Sequence, residues 1–217
     1  MKVLIVGASG LVGSNCLLHF KEKEYDVTGT HLSFPYGGTV YYNPLNPADP
    51  ENINIAESKP EVIIHCAALT NVDYCENNPS ESYERTVVSA QNIATIARET
   101  GARIIYLSTD YVFDGQSGPY IESDQVHPLN IYGKHKLEAE RLVLNQSSAN
   151  IIIRVTNVYG DEPRGKNFVS RIVTAIRKNE RLTLSLPFDQ FATPVNALDI
   201  ARVIHKLLIN QSAGIYH

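Results

Sequence analysis

The sequence predicts an α/β fold built on a doubly wound parallel sheet, and three observations carry the prediction. Short β-branched runs alternate with longer helical patterns along most of the chain, the order that parallel βαβ units require. The first run ends in a glycine-rich turn that opens a helix, Gly7-Ala8-Ser9-Gly10-Leu11-Val12-Gly13. With 217 residues, 43% hydrophobic and 19% charged, the chain has room for one such core plus a small appendage.

Strands are predicted over Lys2–Val6, Asp26–Thr30, Glu61–His65, Arg103–Ser108 and Asn150–Arg154. Between and after them, helices are predicted over Leu11–Lys23, Pro79–Thr100, Leu129–Asn145 and Phe168–Lys178, each with apolar residues at three-to-four spacing. Leu32–Asn54 and Phe113–Pro128, rich in turn residues, are expected to be loops, the second where an active-site loop would lie. After Arg181 come the short run LTLSL, a loop holding Asp189, Gln190 and Pro194, a helix over Asn196–Asn210 and a strand-like GIYH. No internal repeat or low-complexity tract is visible.

A net charge of −4 offers no basic field, so neither nucleic acid nor an anionic membrane is an expected partner. The apolar run before Gly7 is too short for a signal-peptide core, and no later run reaches about 18 apolar residues, so a cytoplasmic location is expected. Cys16, Cys66 and Cys75 lack metal-ligand spacing and are odd in number, which points away from zinc and a disulfide framework. No metal is expected, and each cysteine reads as a small buried or half-buried residue.

The glycine turn has the form that cradles a dinucleotide pyrophosphate: a tight turn, then a helix whose positive end presents N–H groups. Gly7, Ser9, Gly10, Leu11, Val12 and Gly13 are therefore candidate cofactor residues, the bland alternative being a tight turn with no ligand. An NAD site would place a carboxylate after the second strand; this chain has Gly29-Thr30-His31-Leu32-Ser33. Without that carboxylate NADP(H) is favoured, with Thr30, His31 and Ser33 near the adenosine phosphate, and NAD(H) is the alternative. Cys66, Ala67 and Ala68, after the third run, are further cofactor candidates, although His65 and Cys66 also fit simple packing.

Tyr132-Gly133-Lys134-His135-Lys136 places a phenol and an ammonium at i and i+4, on one helix face. The ammonium is expected to lower the phenol's pKa and make Tyr132 a proton donor. Thr109, at the carboxyl end of a strand, is expected to hydrogen-bond a substrate carbonyl beside Tyr132.

In the glycine motif, the strand order and the Thr109, Tyr132 and Lys136 set, the chain resembles the extended short-chain dehydrogenase/reductase superfamily from Gly7 to about Tyr159. STDYVFDG (Ser108–Gly115), PYIESD, PLNIYGKHK, Gly165-Lys166-Asn167-Phe168 and Asp189-Gln190-Phe191-Ala192-Thr193-Pro194 are similar to the dTDP-4-dehydrorhamnose reductase family. The resemblance implies an NAD(P)-binding Rossmann core over 1–160 and a small, partial substrate-binding lobe over 161–217, interleaved with the last core elements. It implies NADPH-dependent reduction of a 4-keto nucleotide sugar, with Thr109, Tyr132 and Lys136 catalytic. Thr70, Asp110, Asn157, Asn167, Asp189 and Gln190 are the candidate substrate-side residues, and a homodimer is left open.

Three departures from the family stand out. Arg154-Val155-Thr156-Asn157-Val158-Tyr159-Gly160 lacks the family's Trp over the sugar, so the identity of the sugar is open. Thr86 replaces a usual Asn, which is expected to weaken a water or backbone contact behind the site, and family members run on past a strand like GIYH. Asp73, Cys75 and Glu76 read as touching substrate or as capping the helix beyond Pro79, with capping favoured. Two alternatives accompany the reductase reading. One is an epimerase or dehydratase, although Asp110-Tyr111 stands where sugar dehydratases have Asp-Glu. The other is a non-catalytic NADP-binding regulatory subunit like that of methionine adenosyltransferase.

Overall fold

The structure, a computed structural model, describes residues 1–217 except 163 and 185–189. The main sheet holds β1 (Lys2–Val6), β2 (Asp26–His31), β3 (Val40–Tyr41), β4 (Val62–His65), β5 (Arg103–Thr109), β6 (Ile151–Val155) and β9 (Gly214–Tyr216). Its order is β3-β2-β1-β4-β5-β6-β9, and each adjacent pair is parallel. A separate parallel ribbon joins β7 (Val158–Tyr159) to β8 (Val195–Asn196).

The central strands β1, β4, β5 and β6 are buried on both faces, which is why they read as apolar runs rather than as an alternation. Within β1, Val3 and Ile5 face one core with Cys16, Leu17 and Phe20 of α1 (Leu11–Glu22). Leu4 and Val6 face the other, with Ile93 and Ala97 of the helix that precedes β5. That helix is α5 (Ser89–Thr100), and three short helices come before it in the chain: α2 (Ile55–Ser58), α3 (Val72–Asn77) and α4 (Pro79–Tyr83). The faces are completed by α6 (Ile131–Gln146) beside α5, and by α8 (Ala197–Ile209) beside α1; α7 (Phe168–Lys178) lies between the ribbon strands in sequence.

Three expectations are corrected. The helix expected over Pro79–Thr100 is α4, a π-helical turn over Glu84–Val88, and α5. The loop expected over Leu32–Asn54 contributes β3, two residues paired with Thr30 and His31 at the sheet edge, too short for a periodic signal. Asp73, Cys75 and Glu76 lie in a helix of their own, α3, capped by Asn71; Glu76 accepts the N–H of Ile131, so it supports the start of α6 rather than the helix after Pro79. Asn130 completes that start by accepting from the Gly133 N–H.

Candidate active site

The strand order reverses between β1 and β4, and in open α/β sheets the crevice at such a point is where ligands bind. Two glycines make the turn there possible. Gly7 has φ +84°, and a Cβ on it would lie 2.9 Å from the Ala67 backbone nitrogen; a Cβ on Gly13 would lie 2.2 Å from the Gly7 carbonyl oxygen. Gly10 is the N-cap of α1, which has neither a side-chain cap nor an acid in its first turn. A Cβ on Gly10 would meet only the Gly7 oxygen, at 3.4 Å. The helix end is thus uncapped and electropositive, a fit for a pyrophosphate. Ser9 and Gly13 are buried in the turn, and Leu11 and Val12 are half-buried at the start of α1.

The other cofactor candidates separate into two groups. Thr30 is buried, and its hydroxyl accepts from the Gly7 N–H at 3.4 Å while its carbonyl accepts from Ala8, so it braces the glycine turn. His31 is half-buried and hydrogen-bonded through Nδ1 to the Thr39 hydroxyl at 2.8 Å; Ser33 is exposed. Across the crevice, Cys66 donates its backbone N–H to Val6, and Cys66, Ala67 and Ala68 are half-buried, with Ala67 against Gly7. Cys16 and Cys75 are buried.

The proton-transfer candidates meet where β5 faces α6. Thr109 ends β5; its hydroxyl donates to Asp110 at 3.1 Å and accepts from the Tyr111 N–H at 3.2 Å. Tyr132 is 9% exposed, with the Tyr111 ring 5.7 Å away edge to face. Burial pushes the Tyr132 phenol above its ordinary value; the Thr109 hydroxyl pulls it down, and Asp110 pushes it further up. The expectation that Lys136 lowers this phenol is therefore corrected. Tyr132 and Lys136 do share a helix face, but the ammonium lies deeper, donating to the Leu107 carbonyl and resting 4.1 Å from the Tyr106 ring centroid. Burial brings Lys136 down to about 7, against the Glu140 carboxylate that holds it up.

Behind Lys136 lies a polar framework that the sequence reading missed. Glu140, one further turn along α6, forms a buried ion pair with Arg154 of β6 at 2.8 Å and accepts the Ser108 hydroxyl of β5. His65 is buried against Tyr106, bonds the Ser89 hydroxyl at 3.3 Å, and is pushed down to about 3 by burial and by Lys136. Thr86, in the π-helical turn, is buried, and its hydroxyl has no partner among the described residues; the same is true of the Tyr106 hydroxyl. The one signal for Glu140 was its four-residue step from Lys136 on a helix face that must be buried.

On the substrate side, Thr70 and Asn157 are exposed, and Asp110 is half-buried with its carboxyl raised by burial. Asn167 caps α7, and its amide donates to Gly160, Glu162 and Ser170, so its polar groups are used within the loop that it closes. Gln190 is exposed; Asp189 and part of the LTLSL run lie outside the described residues.

The model of the RmlD substrate binding domain matches residues 1–217. The chain is 36% identical over 222 residues to the Xenopus laevis methionine adenosyltransferase 2 subunit beta, covering 100% of this chain and 66% of that protein. It is 40% identical over 234 residues to the dTDP-4-dehydrorhamnose reductase of Aggregatibacter actinomycetemcomitans, covering 100% of this chain and 72% of that protein. The crystal structure of the Bacillus anthracis dTDP-4-dehydrorhamnose reductase in complex with NADP superposes with a TM-score of 0.83 at 30% identity, covering 100% of this chain and 73% of that one.

Proposed function

The chain belongs to the RmlD substrate binding domain family of extended short-chain dehydrogenase/reductases, and from that premise we propose that it binds NADP(H) and reduces a 4-keto nucleotide sugar. The observation that carries the reading is the buried Tyr132 beside Thr109 at the carboxyl edge of the same parallel sheet whose first strand ends in the uncapped glycine turn. Gly7, Gly10 and Gly13 would hold the pyrophosphate, and Lys136 the nicotinamide ribose. NADPH, when bound, would supply the hydride. Tyr132, kept protonated at neutral pH by burial, donates its phenolic proton to the substrate carbonyl oxygen as that oxygen gains charge. Thr109 turns its hydroxyl from Asp110 to the same oxygen as a second hydrogen-bond donor.

The test is NADPH oxidation with a panel of dTDP- and UDP-linked 4-keto sugars. Turnover with at least one of them is expected. Saturable NADPH binding with no turnover on any would overturn the reductase reading. The identity to the Xenopus laevis subunit favours a second reading, a regulatory subunit for a methionine adenosyltransferase, in which the same fold serves a partner enzyme. That reading requires complex formation with such an enzyme and a change in its kinetics on mixing.

A further inference from the structure

The end of β2 offers an adenosine 2′-phosphate no positive charge of its own. No Lys or Arg occurs between Val27 and Asn54, Thr30 is buried under the glycine turn, and His31 is engaged by Thr39. The charge comes from elsewhere in the chain. After β7 the backbone crosses α1, where the Asn15 amide donates to the Asp161 carbonyl at 2.9 Å, and Asn167 ties the far end of this strap to Gly160. The crossing sets the Arg164 guanidinium 5.8 Å from the ring centroid of Phe34, the residue next to the exposed Ser33. Arg164 is itself exposed and has no ion pair or hydrogen bond among the described residues. Glu162, two residues away, is occupied by the backbone and side-chain N–H groups of Asn167.

We propose that Arg164, held on the Phe34 ring, is the cation that recognises the 2′-phosphate of NADP(H), with the Ser33 hydroxyl as a neutral second donor. A guanidinium against an aromatic ring satisfies its apolar face there and keeps its N–H fork available for a phosphate, which binds such a fork through paired charge-assisted bonds. The phosphate specificity of the site is thus supplied by the strap and not by the strand that ends beneath it. Removing the Arg164 charge alters the choice between the two dinucleotides while leaving the pyrophosphate cradle at Gly7–Gly13 intact.

This inference rests on the proposal that the chain binds a nicotinamide dinucleotide, and calorimetric titration of NADPH and NADH separates the two. The parent chain is expected to bind NADPH more tightly than NADH. Arg164→Ala should weaken NADPH by about ten- to a hundredfold, the size of a lost charge-assisted hydrogen bond, and leave NADH within about twofold. Arg164→Lys should keep part of the preference, since it keeps the charge and loses the fork. Titrating 2′,5′-ADP against 5′-ADP should reproduce the difference without the nicotinamide half. Equal weakening of both dinucleotides by Arg164→Ala, no weakening of either, or a parent chain with no preference would overturn the role of Arg164. A parent chain that binds neither would instead overturn the cofactor reading.

Discussion

Glu140→Gln is the perturbation whose cost the structure defines most closely. The Glu140 and Arg154 side chains are 2% and 4% exposed; the guanidinium reaches the carboxylate through Nη2 at 2.8 Å and Nε at 3.0 Å, and Ser108 donates to the same carboxylate. A glutamine fills the volume but removes the charge. Arg154 then stays charged in the core without the carboxylate that neutralised it, facing a neutral amide, the Phe113 ring at 5.2 Å and the His217 imidazole at 3.4 Å. Breaking one side of a buried pair typically costs about 3–5 kcal/mol. At about 2–4 °C per kcal/mol for a chain of this size, the melting temperature should fall by roughly 6–20 °C. Adding Arg154→Met should recover more than half of the loss, because the stranded charge leaves with its partner.

The same substitution acts on the active site. Glu140 is the anion that holds the Lys136 ammonium up against burial, so without it Lys136 should titrate below its present value of about 7. Differential scanning calorimetry of the single and double variants, with lysine side-chain NMR of the single variant, reads both effects. A Glu140→Gln protein that melted within about 2 °C of the parent would refute the strut. A Lys136 that titrated unchanged would refute the coupling.

Tyr132→Phe should lower ketone reduction by about 100- to 10,000-fold with NADPH affinity unchanged, read by steady-state rates and calorimetry, because only the proton donor leaves. Gly13→Ala should abolish saturable dinucleotide binding or folding, seen by titration and far-ultraviolet dichroism, since its Cβ would sit 2.2 Å from the Gly7 oxygen. His19 and His205 share a 3.2 Å hydrogen bond between α1 and α8, and both are held below the ordinary imidazole value by burial first and then by neighbouring positive charge, Lys23 in both cases. The folded form thus binds fewer protons than the unfolded chain; their contribution to stability is complete above about pH 6.5 and declines as pH falls below it. The melting temperature of the parent chain should fall as pH drops below about 6.5, and it should fall less in the His19→Gln, His205→Gln double variant.

What was legible in the sequence is what local spacing encodes. Gly7 to Gly13 announces its turn because the requirement for absent side chains is met within seven residues, and Tyr132 with Lys136 announces a shared face because four residues make about one helical turn. The doubly buried strands declare themselves as apolar runs. By contrast, Asn167 looked like a substrate contact, yet its amide closes on Gly160, Glu162 and Ser170, bonds that depend on how a loop folds back. The lowered phenol pKa failed for a related reason: shared helix face fixes proximity, but the direction of a long side chain is set by what lies below it, here the Leu107 carbonyl and the Tyr106 ring.

Glu140 shows where a sequence reading could reach further. Tyr132, Lys136 and Glu140 step by four along α6, and this stripe faces β5, where Ile104 and Tyr106 are fully buried. A helix face that must be buried yet carries an ammonium and a carboxylate contradicts its own pattern, and such local contradictions concentrate at functional sites. The contradiction also predicts a partner: two opposite charges a turn apart are balanced, but Lys136 is drawn toward Leu107, so the carboxylate needs a second cation from a neighbouring strand. Arg154, an arginine inside the apolar run of β6, is the residue on that strand that could supply it. The charge on β6 and the charge on α6 are each unfavourable alone and explain one another together, which is why the pair was invisible to any window shorter than the distance between them.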